Sequence, residues 1–113
     1  MGKYTCRYYN EGSYLIVAVE GKLDTISAPE FGETLKSLLY DKPLFCLLDF
    51  GKVDFLSSSG LQVLLAGAKI SQQMGIKFAV FGMQEMVHDI FVMSGFDQFI
   101  RDFDTKENAV RLL

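Results

Sequence analysis

Three short apolar runs, "YLIVAVE", "LFCLLDF" and "IKFAVF", alternate with stretches of helical periodicity, and this alternation constrains the fold more than any other feature. The runs read as strands. In the first, Leu15-Ile16-Val17-Ala18-Val19 is apolar without a break, which predicts a strand covered on both faces. Between the first two runs, Phe31, Leu35, Leu38 and Leu39 recur at helical spacing. Ser27 and Glu30 stand at capping-box spacing, Pro29 falls in the first turn, and Pro43 stops the helix. A second helix is predicted from Gly60 to Met74. Leu61, Leu64, Leu65 and Ala68 line one side, and Gly75 is suited to the position after the helix. Strand-helix-strand units of this length favour parallel pairing with right-handed crossovers.

The rest of the chain extends this scheme. In "CRYYNEGSYLIVAVEG", two β-rich runs, Cys6 to Tyr9 and Tyr14 to Glu20, flank a spacer with turn chemistry, which adds an antiparallel strand by a hairpin. "QEMVHDIFVMSG" predicts a short helix with Met86, Val87, Ile90 and Phe91 on its apolar side, ended by Gly95. "FDQFIRDF" holds a short strand. "DTKENAVRLL" closes the chain as a helix, capped by Asp104 or Thr105, with Ala109, Val110 and Leu113 facing in. The expected fold is α/β: a mixed sheet of four to five strands packed with about four helices. At 113 residues, the expectation is one domain over 1–113.

Several function classes are disfavoured by what the chain lacks. The net charge is -3 and no Lys/Arg cluster occurs, so the electrostatic footprint of a nucleic-acid binder is missing. No apolar run approaches the roughly 18 residues of a membrane span. Cys6 and Cys46 make a weak disulfide case, and Cys46 lies in an apolar run, which points to a reducing, cytoplasmic setting. Together with the one histidine, His88, they show no metal-ligand spacing. His88 falls with Gln84, Glu85 and Asp89 on the polar side of its helix and reads as a surface residue. Phosphate-cradling glycine patterns are absent, so neither metal nor cofactor is expected.

The stretch "LSSSGL", Leu56 to Leu61, draws attention for another reason. A serine before an apolar-periodic run is a good helix cap. One cap needs one serine, and three stand in a row. The pattern has a glycine on one side only, where a nucleophile elbow has one on each, and a catalytic serine would need a base within hydrogen-bond reach. No catalytic residue is assigned. A helix N-terminus does tolerate an added phosphate, because the dipole and free N–H groups favour negative charge. Helix cap and modification site therefore both stand as readings of this stretch.

Three segments together resemble the STAS domain family, specifically the bacterial anti-sigma factor antagonists. "GKLDTISAPEF" resembles the loop that leads into the family's first helix. "CLLDFGKVDFLSSSGLQVLL" resembles its strand, loop and switch helix, and "FVMSGFDQFI" its segment near the end. The resemblance implies a binding switch rather than an enzyme. The unmodified antagonist binds an anti-sigma factor that is also a serine kinase, and so frees a sigma factor. The kinase phosphorylates the antagonist and ends the complex; a PP2C-type phosphatase resets it. Aligned on Gly60, the family's acceptor serine is Ser58, with Ser59 next in line. Ser57 stands where the family usually has aspartate. Asp24 matches the family's loop aspartate, whose plainer reading is a turn residue. The implied partner surface comprises Asp24, Thr25, Ser57, Ser58, Ser59, Gly60 and Gln62. The alternative implied by the same resemblance is a STAS scaffold, not phosphorylated, that associates with proteins or senses a ligand. A homodimer is a further expectation, and stable homo-oligomers without phosphorylation by a partner kinase would favour the scaffold.

Overall fold

A computed structural model describes residues 3–113. A five-stranded sheet in the order β1-β2-β3-β4-β5 forms from β1 (Thr5–Glu11), β2 (Tyr14–Leu23), β3 (Phe45–Leu56), β4 (Lys77–Phe81) and β5 (Arg101–Phe103). The β1–β2 pair is antiparallel and closed by the two-residue turn Gly12-Ser13; the other pairs are parallel. The helices are α1 (Ser27–Tyr40), α2 (Ser58–Met74), α3 (Glu85–Met93) and α4 (Lys106–Leu112). A 3-10 turn, Phe96–Gln98, precedes β5.

The apolar patterns decide which face each element covers. Leu15, Val17 and Val19 of β2, Cys46 and Leu48 of β3 and Val80 of β4 point to one side. They meet Phe31, Leu35 and Leu39 of α1, Leu61 and Leu64 of α2, and Val87 and Phe91 of α3 in the main core. Ile16, Leu47, Ala79 and Phe81 point to the other side, where Ala109 of α4 covers them. The uninterrupted apolar run of β2 is thus covered on both faces, as its sequence predicts.

Four local expectations are corrected. The strand predicted to end near Asp49 continues to Leu56. Beyond Asp49 it leaves β4 and pairs with β2 alone, through Glu20↔Lys52, Gly21↔Val53, Lys22↔Phe55 and Leu23↔Leu56. Ser27 does not cap α1 but is its first helical residue. The carboxylate of Asp24 takes the cap's place, accepting from the N–H groups of Ile26 and Ser27 at 3.0 Å each. The Ser27 hydroxyl instead donates to the Lys22 carbonyl at 2.6 Å. Met86 and Val110, expected on apolar faces, are exposed. Finally, α2 begins two residues earlier than its apolar periodicity indicates, because Ser58 and Ser59 are already helical. For α4, Thr105 proves to be the cap, accepting from the Asn108 N–H at 3.1 Å.

Candidate functional site

The ribbon formed by the ends of β2 and β3 carries two turns side by side: Asp24-Thr25-Ile26 into α1, and Ser57 into α2. Their contact runs through the Leu23 carbonyl. It accepts from the Ser57 backbone N–H at 2.9 Å and from the Ser57 hydroxyl at 2.8 Å. The same Ser57 oxygen accepts from the Gly60 N–H at 3.2 Å, which makes Ser57 the cap of α2. With one bond donated and one accepted, this half-buried hydroxyl is engaged in both senses. An aspartate in its place keeps the acceptor but, when ionised, has no proton to give Leu23.

Gly60 is set by crowding rather than by backbone conformation. A Cβ there would lie 2.8 Å from Leu56 Cδ1, 3.0 Å from Leu23 Cβ and 3.1 Å from the Leu23 oxygen. Only a residue without a side chain lets the first turn of α2 close on Leu23. The three hydroxyls of "SSS" are therefore not equivalent. Ser57 is tied to Leu23 and Gly60. Ser58, the first helical residue, is exposed, and Ser59 is intermediate in exposure. Among the described residues, neither the Ser58 nor the Ser59 hydroxyl makes a side-chain hydrogen bond, and α2 has no acidic residue in its first turn.

Asp24 stays ionised readily. Its carboxyl is held below the usual range, first by the Ser27 N–H and then by the Ile26 N–H that it accepts. Thr25 and Gln62 are exposed beside these turns. Two further residues belong to this surface and were not singled out from the sequence. Ile26 is 87% exposed, and Phe55 is 42% exposed with the Lys22 ammonium 5.6 Å from its ring centroid. A lone apolar residue inside an otherwise polar turn, as in "DTIS", was the available clue for Ile26.

His88 is engaged with a carboxylate of another element, and no hydrogen bond joins it to these serines among the described residues. Its Nε2 lies 2.7 Å from Asp102 Oδ2, linking α3 to β5. The side chain is 43% exposed, so the surface residue expected from the sequence is also an inter-element contact. A groove of about 470 Å³ lies elsewhere, between the second half of α2 and the β4–β5 edge. Leu65, Ser71, Phe78 and Phe99 are among its lining residues. The Ser57–Ser59 surface carries its polar groups on the outside of a helix start, a shape suited to a macromolecular partner.

The family model described as "STAS domain" matches residues 7–109. The anti-sigma-F factor antagonist RsfB of Mycobacterium tuberculosis is 29% identical over 96 residues, which are 84% of this chain and 77% of that protein. An anti-sigma factor antagonist from Mycobacterium paratuberculosis has a crystal structure that superposes with a TM-score of 0.86 at 22% identity, covering 96% of this chain and 92% of that one. The phosphorylated form of the Bacillus cell fate determinant SpoIIAA superposes with a TM-score of 0.70 at 14% identity, covering 96% and 97%. At these identities the two superpositions establish the shared fold.

Proposed function

The chain belongs to the STAS domain family, and we propose that it works there as an anti-sigma factor antagonist whose binding is switched by phosphorylation of Ser58. The observation that carries this reading is the contrast within "SSS". Ser57 is consumed by the cap, while the next hydroxyl is exposed at the first residue of a rigidly seated helix. The names of the relatives agree with the role, being antagonists of anti-sigma factors. The partner is an anti-sigma factor with serine kinase activity, docking on Asp24, Thr25, Ser57, Ser58, Ser59, Gly60 and Gln62. Ile26 and Phe55 supply apolar contact. A PP2C-type phosphatase resets the switch, the setting is cytoplasmic, and residues 1–113 act as one unit without cofactor or catalytic residue of their own.

The physics of the switch is local. A phosphate adds roughly -1.5 to -2 charges at neutral pH. At a helix N-terminus the dipole and free N–H groups favour that charge by about 0.3–1 kcal/mol, so the fold survives modification. A partner that docks there closely against acidic or apolar groups does not, because the charge must be desolvated and is repelled. The test is incubation with a cognate anti-sigma kinase and ATP, followed by intact-mass measurement and peptide mapping. One phosphate on Ser58 is expected. Ser58→Ala should abolish it and Ser59→Ala retain it, and Ser58→Asp should weaken binding to the unloaded kinase. Undiminished phosphorylation of Ser58→Ala would overturn the choice of acceptor.

One observation favours a second reading, a scaffold that senses a ligand. Ser71 borders the 470 Å³ groove with a buried hydroxyl that has no hydrogen-bond partner among the described residues. This reading predicts a saturable small ligand and no phosphate incorporation from any partner kinase.

A further inference from the structure

Of the two edge strands of the sheet, β1 is the longer, and its pattern is complementary to itself. The strand pairs with β2 without a bulge from Thr5↔Glu20 to Glu11↔Tyr14. Every residue in it except Cys6 is exposed, and it contains neither proline nor lysine. Natural sheets protect such edges with proline, lysine, bulges or a covering element. From outside the hairpin, Lys106 of α4 reaches Glu11 at one end of the strand and leaves its centre uncovered.

The hairpin register fixes which backbone groups are free. The two-residue turn Gly12-Ser13 makes Glu11 and Tyr14 the closing hydrogen-bonded pair. Bonded pairs recur at every second residue, at Tyr9–Ile16, Arg7–Ala18 and Thr5–Glu20. Cys6, Tyr8 and Asn10 therefore turn their N–H and C=O groups outward, symmetrically about Tyr8. A second copy approaching antiparallel about a two-fold axis at Tyr8 sets Tyr8 against its own counterpart and Cys6 against the other copy's Asn10. All of these positions are outward-facing, so both bonds of each pair can form. The intervening positions also match. Arg7, paired with Glu20 of its own chain at 3.3 Å, falls opposite Tyr9 of the second copy and diagonal to its Glu11, itself paired with Lys106 at 3.1 Å. A cation thus lies beside a ring, and the two ion pairs of each copy approach the other's with opposite charges facing.

We propose that β1 is a homodimerisation edge, joining two five-stranded sheets into one through antiparallel β1–β1 pairing centred on Tyr8. The occupant is a second copy rather than another extended segment because the outward residues, the ring and the charges all match under the same two-fold. The Thr5 end of β1 lies beside the end of β2 that leads to Leu23 and Ser57. Antiparallel pairing therefore sends the two Ser57–Ser59 surfaces to opposite ends of the joined sheet, both free, and makes the dimer bivalent for whatever binds them.

The test is light scattering coupled to size exclusion on the full chain over a dilution series. The mass is expected to move from 12.7 kDa toward twice that value as concentration rises. Tyr8→Pro removes an outward N–H that the β1–β2 ladder does not use, and Tyr8→Lys sets two ammonium groups against each other. Each should weaken association by at least about tenfold, while far-UV circular dichroism remains that of the parent. Should Tyr8→Pro perturb the hairpin, Tyr8→Lys still decides, because Tyr8 is 56% exposed. A chain that stays monomeric at the highest concentration reached, or a dimer that Tyr8→Lys leaves unchanged, overturns the proposal.

Discussion

Ser57 and Ser58 are adjacent and chemically identical, and the structure gives them opposite roles. Ser57→Ala removes the bond to Leu23 and the cap on Gly60, and should cost about 1–2 kcal/mol in chemical denaturation. Ser58→Ala should stay within about 0.5 kcal/mol of the parent, since it changes an exposed position. Reversal of that order would undo the assignment of cap and free hydroxyl. Asp24 has a pH signature. Its folded-state pKa lies below the unfolded value of about 3.9. The stability it contributes is therefore present above that value and is lost as pH falls through the lowered one. Asp24→Asn keeps an oxygen acceptor for the Ser27 and Ile26 N–H groups but cannot titrate. The loss of stability on acidification, followed by urea midpoints from about pH 5 to about pH 2, should be shallower in the variant. The serine run stood out in the sequence because one cap needs one serine, whereas Asp24 stood out only through the family resemblance, an aspartate being ordinary in a turn. The division of labour among the serines was not legible, since it depends on a carbonyl 34 residues away in the chain.

At the scale of elements, the helices were the easiest to read and the strand ends the hardest. The stripes Phe31-Leu35-Leu39 and Leu61-Leu64 locate α1 and α2 because 3.6-residue periodicity survives in sequence. The second half of β3 was missed. Gly51, Lys52 and Asp54 interrupt its apolar run, and a ribbon with one partner strand needs no continuous burial. Two register shifts on β2 fit the extra β3 residues, and such irregularities bend a strand without announcing themselves in composition. Ser27 misled for a related reason: capping-box spacing is a local pattern, whereas its hydroxyl answers the Lys22 carbonyl at the end of β2. Gly60→Ala tests how tightly α2 is seated on this ribbon. Alanine favours a helix interior by about 1 kcal/mol, but overpacking against Leu56 and Leu23 costs about 1–3 kcal/mol. A lowered melting temperature is the expected outcome, and a raised one would show that the contact yields.

Across the whole molecule, a three-helix layer and α4 enclose the sheet, and Cys46 reports on that enclosure. Burial pushes its thiol up to about 12, and it is fully buried in the main core. In the native chain near neutral pH, an alkylating reagent should modify the partly exposed Cys6 first, and Cys46 only at the rate of global opening. Equal labelling of the two would contradict the packing. Among the described residues no helix is long and apolar enough to cross a membrane. The order of strands and helices, the two-faced burial of β2 and the helix stripes were determined by the sequence alone, because periodicity and turn chemistry act between near neighbours. What only the tertiary structure decided lies between distant segments. It comprises the continuation of β3 beside β2, the Leu23 carbonyl under Ser57, the exclusion of a side chain at Gly60 and the free edge of β1. Those features arise where two chain segments meet, and the residues of either one alone do not carry them.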